Sequence, residues 1–235
     1  MPRRRPATRR LMQVGIAVAA IAVLVGAGWL VVREREARYR PDLGPGERLG
    51  LDVSHYQGVI DWQRVANDGI SFAYIKATEA GDWVDDTFAR NWEGARAAGL
   101  EVGAYHFFTL CRTGGDQAAN FLRTVPPDAD LPPAVDLEFP MNCSARPEPA
   151  ALRTELAVFL DTVEQATGRT ALLYVEDEFD EVYGVLDAFP QPTWERSLRT
   201  RPSDSRWVIW QASDTARVDG VNGGVDLNLM STRCC

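Results

Sequence analysis

Residues 131–139 read LPPAVDLEF, and the rest of the sequence can be read outward from them. From Ala134 to Phe139, small or apolar residues alternate with Asp136 and Glu138. A β-strand alternates its faces with a period of two, so this pattern predicts two carboxylates that point the same way, roughly 6.5–7 Å apart along the backbone. Two carboxylates on one face repel each other, and one of them then tends to keep its proton at neutral pH.

Such a pair suits the hydrolysis of a glycosidic bond. That reaction uses one carboxyl group that stays protonated as a general acid and another that is charged, which stabilises or attacks the cationic sugar centre. Two other interpretations fit the same residues: an edge strand with a solvated acidic face, or half of a metal site. The surrounding sequence favours a catalytic pair of carboxyl groups over these two alternatives.

Strand-like and helix-like patterns alternate along most of the chain. The first five predicted strands are residues 49–53, 72–77, 101–108, 134–139 and 170–175, and the helices that follow them are residues 62–67, 85–98, 116–125, 149–167 and 179–186. Three more strands, without helices between them, are predicted at 193–197, 207–211 and 224–229. This alternation is typical of a mainly parallel sheet wrapped by helices. Eight strands favour an irregular closed barrel, whereas an open doubly wound sheet would usually carry a Gly-x-Gly-x-x-Gly turn after its first strand.

In a barrel of this class, functional residues lie at the C-terminal ends of the strands. Polar residues recur at those ends: Asp52, Lys76, Glu79, Tyr105, His106, Asp136, Glu138, Tyr174, Glu176, Trp210, Gln211, Asp226 and Asn228. Buried carboxylates are costly unless they are paired or used, so acids within short apolar runs indicate a functional rim. Aromatic residues fall near the same ends, and their flat apolar faces suit sugar rings. Packing in the core is the alternative for each of them.

The N-terminal region differs from the rest. Residues 1–10 carry five arginines and no acid, and residues 11–32 carry no charged residue. A helix of that length, at about 1.5 Å per residue, can cross a bilayer core of about 30 Å, and N-terminal arginines favour a cytoplasmic end. We therefore predict a basic cytoplasmic N-terminus, an uncleaved transmembrane anchor at 11–32, a linker at 33–48 and a globular domain at 49–235 on the periplasmic or cell-wall side. A cleaved signal peptide is the alternative.

The charge balance divides along the same line. Residues 1–40 carry a net charge of +7 and residues 41–235 carry −15, within a total of −8. So acidic a domain is a poor candidate for binding nucleic acid. The cysteines form no Cys-x-x-Cys pair and the acids lack the spacing of a calcium loop, so neither a metal nor a cofactor is expected. Outside the cytoplasm, Cys111 and Cys143 are candidates for a disulfide, with two free thiols as the alternative. For the adjacent Cys234 and Cys235, two alternatives stay open: a disulfide between the two residues, or a disulfide with another chain.

Several motifs together resemble the family-25 glycoside hydrolases, which are muramidases also called Chalaropsis-type lysozymes. The resemblance spans residues 49–230. The matching segments, in order, are GLDVSHYQG at 50–58, IDW at 60–62, AYIKATE at 73–79, GAYHF at 103–107, DLE at 136–138, WQ at 210–211 and VDLN at 225–228. Each segment is weak alone, whereas their order and spacing are specific.

The resemblance implies a TIM-like (β/α)5(β)3 barrel that cleaves the β-1,4 bond between N-acetylmuramic acid and N-acetylglucosamine in peptidoglycan. Glu138 matches the family's general acid, and Asp136 matches the neighbouring carboxylate that orients or stabilises the substrate's N-acetyl group. Asp52 and Asp226 match two further acids of the cleft. In some accounts of the family the N-acetyl oxygen is the internal nucleophile, an exception to the two-carboxylate mechanism. Which nucleophile acts here is left open.

Further expectations follow from the resemblance. The predicted substrate-binding residues are Tyr105, Tyr174, Trp194, Trp210, Gln211, Lys76 and Glu79. The expected partners are glycan strands of peptidoglycan and the membrane, with the protein as a monomer. The positions of Cys111 and Cys143 resemble a proteobacterial branch.

The chain also departs from the family pattern. Residues 194–197 read WERS where Trp-Ile-Ala-x-Tyr is common, Ala80 stands before the expected glycine, and Ala212 follows Gln211 where tyrosine is usual. The absent tyrosine puts the substrate contacts of that strand in doubt. Two other functions fit the same barrel: a non-catalytic peptidoglycan scaffold at the membrane, and a hydrolase of another N-acetylated glycan such as chitin oligomers. Barrels that have lost catalysis and only bind glycan often lack the acids of the cleft. This sequence keeps all four: Asp52, Asp136, Glu138 and Asp226.

Overall fold

The structure is a computed structural model that describes residues 7–203 and 205–234. The chain forms two compact units, the first ending at Tyr39 and the second beginning at Arg40. The first unit contains helix α1 (Ala7–Ala37), which continues past the predicted end of the anchor. Its segment Met12–Ala37 is long and apolar enough to cross a membrane, judged by length and composition alone. Most of the predicted basic N-terminus lies outside the described residues, as does Cys235.

The second unit is an α/β barrel. Its elements are β1 (Arg48–Val53), a 3-10 helix (His55–Gln57), α2 (Trp62–Asn67), β2 (Ile70–Glu79), β3 (Trp83–Val84), α3 (Phe88–Ala97), β4 (Glu101–Phe107), α4 (Gly114–Thr124), β5 (Ala134–Leu137), α5 (Pro149–Thr167), β6 (Leu172–Val175), α6 (Asp177–Tyr183), α7 (Val185–Ala188), β7 (Thr193–Arg196), β8 (Trp207–Ala216) and β9 (Val225–Met230).

Strand pairing closes this sheet into a ring. Among the described residues, the neighbours in order are β1, β2, β4, β5, β6, β7, β8 and β9, and β9 pairs with β1 again. Pairs from β1 to β8 are parallel, whereas β9 is antiparallel to both β8 and β1. The short strand β3 adds to the end of β2 as an antiparallel hairpin. The predicted mixed α/β barrel is therefore confirmed.

Several predicted boundaries were wrong, each for a local reason. The predicted helix at 179–186 is two helices, because Gly184 adopts a left-handed conformation (φ 58°) and ends α6. Helix α3 begins at Phe88, since Asp85 lies before the helix and accepts hydrogen bonds from the backbone and hydroxyl of Thr87. Strand β5 ends at Leu137, so Glu138 lies just beyond the strand. Strand β3 was not predicted, since two residues are too short for a periodic signal.

The core has an outer layer between strands and helices and an inner layer inside the ring. Strand β2 shows how the sequence builds both. Ala73 and Ile75 belong to the outer cluster, whereas Phe72 and Tyr74 belong to the inner cluster. The alternation of a strand then directs Lys76 inward, at the C-terminal end of the ring. Apolar side chains thus fill the lower part of the barrel, and charged side chains begin where this filling ends.

Helices α4 and α5 approach each other unusually closely at Gly114. A Cβ atom at this position would lie 1.8 Å from the backbone oxygen of Glu155. The Gly114 N–H also donates a hydrogen bond to the Glu155 carboxylate at 2.7 Å. A side chain at this position therefore forces the two helices apart.

Replacing Gly114 by Ala is expected to lower the free energy of unfolding by about 1–3 kcal/mol, the usual cost of overpacking. The matched control is Gly115→Ala, one residue along the same helix, where a Cβ would come no closer than 3.8 Å to Val158. That change is expected to be neutral or to stabilise by up to about 1 kcal/mol, because alanine is the better helix former. Urea unfolding followed by circular dichroism measures both. Equal effects at the two positions would refute the close contact.

Candidate active site

A cleft of about 190 Å³ opens at the C-terminal end of the barrel strands. This is the end at which barrels of this class place their chemistry. Ten of the eleven predicted catalytic and substrate-binding residues line it: Asp52, Lys76, Glu79, Tyr105, Asp136, Glu138, Tyr174, Trp194, Gln211 and Asp226. Residues from eight different strands or strand ends therefore meet in one cavity.

Trp210 is the predicted substrate-binding residue that does not line the cleft. Its side chain is only 2% exposed, and its indole N–H donates to the backbone oxygen of Ser197 at 2.6 Å. The guanidinium of Arg201 lies 5.4 Å from its ring centroid. Because neighbours on a strand face opposite sides and Gln211 faces the cleft, Trp210 faces away from it. We therefore remove Trp210 from the substrate-binding set.

His106 is also remote from the cleft, although it follows the strand pattern of the rim. Its side chain is fully buried and stacks on Phe159 with the ring centroids 4.9 Å apart. Nε2 donates to Gln117 Oε1 at 3.1 Å, which leaves Nδ1 to accept from the Thr78 hydroxyl at 2.7 Å. Burial lowers the pKa of His106 to about 3, so the ring is neutral at physiological pH. His106 therefore packs the barrel against its helices.

Glu138 has the properties of a general acid. Burial raises its pKa to about 7, and the nearby charge of Glu176 acts in the same direction, whereas Lys76 opposes it. The Asn142 side chain fixes its backbone, donating from Nδ2 to the Glu138 oxygen at 2.9 Å and accepting at Oδ1 from Leu110 N–H at 3.0 Å. A carboxyl group with this pKa carries its proton in a large fraction of molecules at neutral pH, which proton donation requires.

Asp136 lies deeper in the cleft than Glu138. Burial raises its pKa well above the ordinary range, and the charge of Glu138 adds to this effect. Its Oδ1 atom is buried and has no hydrogen-bond partner among the described residues. A buried acceptor without a partner is costly in the free protein, and a ligand N–H or O–H placed there would satisfy it.

Asp52 and Asp226 form a second pair of acids. They lie directly opposite each other on the antiparallel strands β1 and β9. Asn228 donates from Nδ2 to Asp52 at 2.7 Å, and Trp194 donates its indole N–H to Asn228 Oδ1 at 2.8 Å. Burial and the Asp226 charge raise the pKa of Asp52 well above its usual value, which favours the protonated form of Asp52. Burial likewise raises the pKa of Asp226, to about 6.

The only lysine of the sequence lies among these acids. Lys76 is 6% exposed, pairs with Glu79 Oε2 at 2.9 Å, and places its ammonium group 4.6 Å from the Phe107 ring centroid. Its positive charge lowers the pKa values of Asp136 and Glu138 against the effect of burial. Within the described residues, no group of three or more His, Cys, Asp or Glu side chains is arranged to hold a metal ion.

Loop residues complete the cleft, and the strand pattern did not single them out. Tyr56 lines it from the 3-10 helix after β1, and Met141 lines it from the loop after β5. The Tyr56 hydroxyl lies 3.4 Å from the Met141 sulfur. Both side chains are largely exposed, at 63% and 73%. Short connections between strands and helices show no hydrophobic period, so only the motif at 50–58 gave any signal for Tyr56, and no pattern indicated Met141.

The loops behind Glu138 are tied together covalently. Cys111 and Cys143 form a disulfide with their Cα atoms 6.2 Å apart, which confirms the predicted pairing. Cys143 is next to Asn142, whose side chain holds the Glu138 backbone. The bond therefore joins the loops after β4 and β5 at the base of the predicted acid.

A barrel whose cleft gathers a carboxyl group with a pKa of about 7, neighbouring carboxyl groups and aromatic walls has the site of a glycosidase. The comparison with known proteins agrees. The family model described as glycosyl hydrolases family 25 matches residues 51–221. The chain belongs to this family, and the predicted resemblance is confirmed.

Individual relatives support the assignment. The uncharacterised protein YegX of Escherichia coli K12 is 38% identical over 193 residues, covering 77% of this chain and 69% of YegX. Lysozyme M1 of Streptomyces globisporus is 32% identical over 205 residues, covering 79% of this chain and 69% of that protein. A family 25 glycosyl hydrolase structure from Bacillus anthracis superposes with a TM-score of 0.74 at 34% identity, covering 83% of this chain and 94% of the other. The similarity to YegX agrees with the predicted proteobacterial-like branch.

Proposed function

We propose that the protein is a muramidase that hydrolyses the β-1,4 bond between N-acetylmuramic acid and N-acetylglucosamine in peptidoglycan. The observation that carries this proposal is the pair Glu138 and Asp136 in the cleft, one with a pKa of about 7 and the other with a buried, unpartnered oxygen. Relatives named lysozyme and N,O-diacetylmuramidase support the choice of substrate.

In this mechanism Glu138 gives its proton to the glycosidic oxygen as the bond from that oxygen to the anomeric carbon breaks. Asp136 assists by accepting the N–H of the substrate's acetamido group at its free Oδ1. This contact aims the acetamido oxygen at the anomeric carbon, where it stabilises the developing positive charge or bonds to it. Glu138, now a carboxylate, takes a proton from the water that completes hydrolysis.

The remaining predicted residues serve substrate binding in this proposal. Asp52 and Asp226, with one proton between them, provide both a hydrogen-bond donor and an acceptor at the floor of the cleft. Tyr105, Tyr174 and Trp194 supply the aromatic walls, which suit sugar rings. Gln211, Lys76 and Glu79 supply polar contacts at the edges of the cleft. The barrel has the (β/α)5(β)3 layout of the family in this proposal.

We also propose that helix α1 anchors the protein in a membrane as an uncleaved span, with a basic cytoplasmic end and residues 49–235 outside the cytoplasm as a monomer. Two observations support this location. The helix has the length and composition of a span. The Cys111–Cys143 disulfide fits an oxidising compartment, such as the periplasm or the outer face of the cell.

Digestion of purified peptidoglycan by the full-length protein in detergent micelles tests the activity. Mass spectrometry of the products is expected to show fragments that end in a reducing N-acetylmuramic acid. Reducing N-acetylglucosamine ends would instead indicate a glucosaminidase. Binding without release, or cleavage of chitin oligomers in place of peptidoglycan, would favour the scaffold or the other glycan hydrolase. The inactive control is the Glu138→Gln variant.

A further inference from the structure

Charged side chains continue along the rim beyond the predicted acids. Strands β5, β6 and β7 are parallel and in register, with Asp136 beside Tyr174 and Tyr174 beside Trp194. Two positions further along the chain come Glu138 and Glu176, each just beyond the end of its strand, and Arg196, the last residue of β7. The alternation of a strand places them on the same face. This upper row lies directly above three residues that line the cleft.

Glu176 is held at the side of Glu138. Leu137 and Val175 are register partners, and the Glu176 N–H extends this ladder by donating to the Leu137 oxygen at 3.1 Å. The next positions, Glu138 and Glu176, are therefore lateral neighbours on adjacent parallel strands, which lie about 4.8 Å apart. Both side chains are partly buried, so water screens the two charges only in part.

The other charges around these two groups are of both signs. The ionisable groups of the surrounding elements that interact electrostatically with Glu138 or Glu176 are Asp52 on β1, Lys76 on β2, Asp136 on β5, Tyr174 on β6, Asp177 and Glu178 on α6, Arg196 on β7 and Asp226 on β9. After burial, the charge of Glu176 contributes most to the raised pKa of Glu138. A neighbouring like charge favours the protonated form of a carboxyl group.

Arg196 opposes this effect, and its own charge is partly taken up elsewhere. Its guanidinium pairs with Asp214 on β8 at 2.8 Å. Arg196 lowers the pKa of both Glu138 and Glu176. Arg196 belongs to the segment 194–197, where the chain departs from the usual family pattern. The charge that Arg196 places near Glu138 is therefore a feature in which this sequence differs from that pattern.

We propose that Glu176 is a positioning residue whose carboxylate keeps the proton on Glu138 at neutral pH, and that Arg196, held by Asp214, limits this effect. The inference rests on the proposed function, because it takes Glu138 as the general acid. It predicts that the two neighbours move the alkaline limit of activity in opposite directions.

The test is the pH dependence of kcat/KM for peptidoglycan cleavage by the full-length protein between pH 4 and pH 9. Glu176→Gln is expected to move the alkaline limb to lower pH by about 0.5–1 unit, with a roughly three- to tenfold loss on that limb and little change at pH 5. Arg196→Gln is expected to move the limb to higher pH. Glu176→Asp is expected to restore most of the wild-type profile, because it keeps the charge.

Glu181→Gln is the matched control, since it removes an exposed glutamate of helix α6, the helix that begins directly after Glu176. Its profile is expected to match the wild type. An unchanged alkaline limb in Glu176→Gln, or an equal loss at every pH, would overturn the proposal.

Carbon-13 NMR titration of the glutamate carboxyl groups gives a second readout that needs no substrate. The Glu138 signal, assigned by its loss in Glu138→Gln, is expected to titrate at lower pH in Glu176→Gln. If Glu138→Gln remains active, the proposed function fails. If Glu138→Gln is inactive and Glu176→Gln titrates like the wild type, only the role of Glu176 fails.

Discussion

Replacing Glu138 by Gln is expected to reduce kcat for peptidoglycan cleavage by about 10²–10⁴-fold, the usual contribution of a general acid. Glutamine has nearly the same shape as glutamic acid but carries no proton that it can transfer to the leaving oxygen. Product release measured by reducing-end assay or mass spectrometry gives the rate. Activity at the wild-type level would remove Glu138 from the mechanism.

The same variant is expected to be more stable than the wild type at pH 8. The pKa of Glu138 is raised in the folded protein, so its folded form binds a proton more tightly than its unfolded form. Stability from this group is complete below pH 4.5 and is lost as the pH rises through about 7. Glu138→Gln removes that loss, which is expected to raise the free energy of unfolding by about 1–3 kcal/mol at pH 8 and to change it little at pH 4. Urea unfolding at the two pH values separates lost chemistry from lost folding.

Replacing both Cys111 and Cys143 by Ser is expected to lower the free energy of unfolding by about 3 kcal/mol. The bond closes a loop with a sequence separation of 32 residues, and cross-links of that span typically stabilise by about 2–4 kcal/mol. For a chain of this size the loss corresponds to a fall in Tm of roughly 6–12 °C. Activity is expected to fall as well, because the bond borders the Asn142 contact that fixes Glu138.

The comparison is made in a background where Cys234 and Cys235 are Ser, so that only one pair of thiols remains. In that background a reducing agent is expected to lower the Tm of the parent to that of the double variant. Calorimetry with and without the reducing agent measures this. A parent whose Tm does not respond to reduction would contradict the stabilising role.

The barrel and the floor of its cleft were predictable from the sequence because they obey a period of two. The strands place inward-facing residues at regular positions, as alternation requires: Asp52, Lys76, Asp136, Tyr174 and Trp194. The strand pattern gave a wrong assignment where two adjacent rim residues were both predicted to bind substrate, because only one of them can face the cleft. Gln211 and Trp210 are adjacent, and pattern alone could not say which of them points inward before the register of β8 was known.

Features that depend on loops or on close packing of helices have no periodic signal in the sequence. Met141 reaches the cleft from a loop, and the contact between Gly114 and Glu155 depends on how two helices dock. Ala80, where the family pattern has a glycine, adopts a left-handed conformation with φ 52°, which costs roughly 1–2 kcal/mol for a residue with a Cβ. Glu176 was recognised only as one of many rim acids, because its relation to Glu138 follows from strand register.

The first and last strands of the barrel hold each other in place, and this has a consequence for the order of folding. Strand β1 needs β9 as a neighbour, although the two are separated by most of the barrel sequence. Until β9 docks, one edge of β1 is open to water, and Asp52 has neither Asp226 nor Asn228 beside it. Contacts between such distant segments form slowly. The acid pair at the floor of the cleft therefore requires residues from both ends of the barrel sequence, and a chain that lacks residues 225–230 cannot form it.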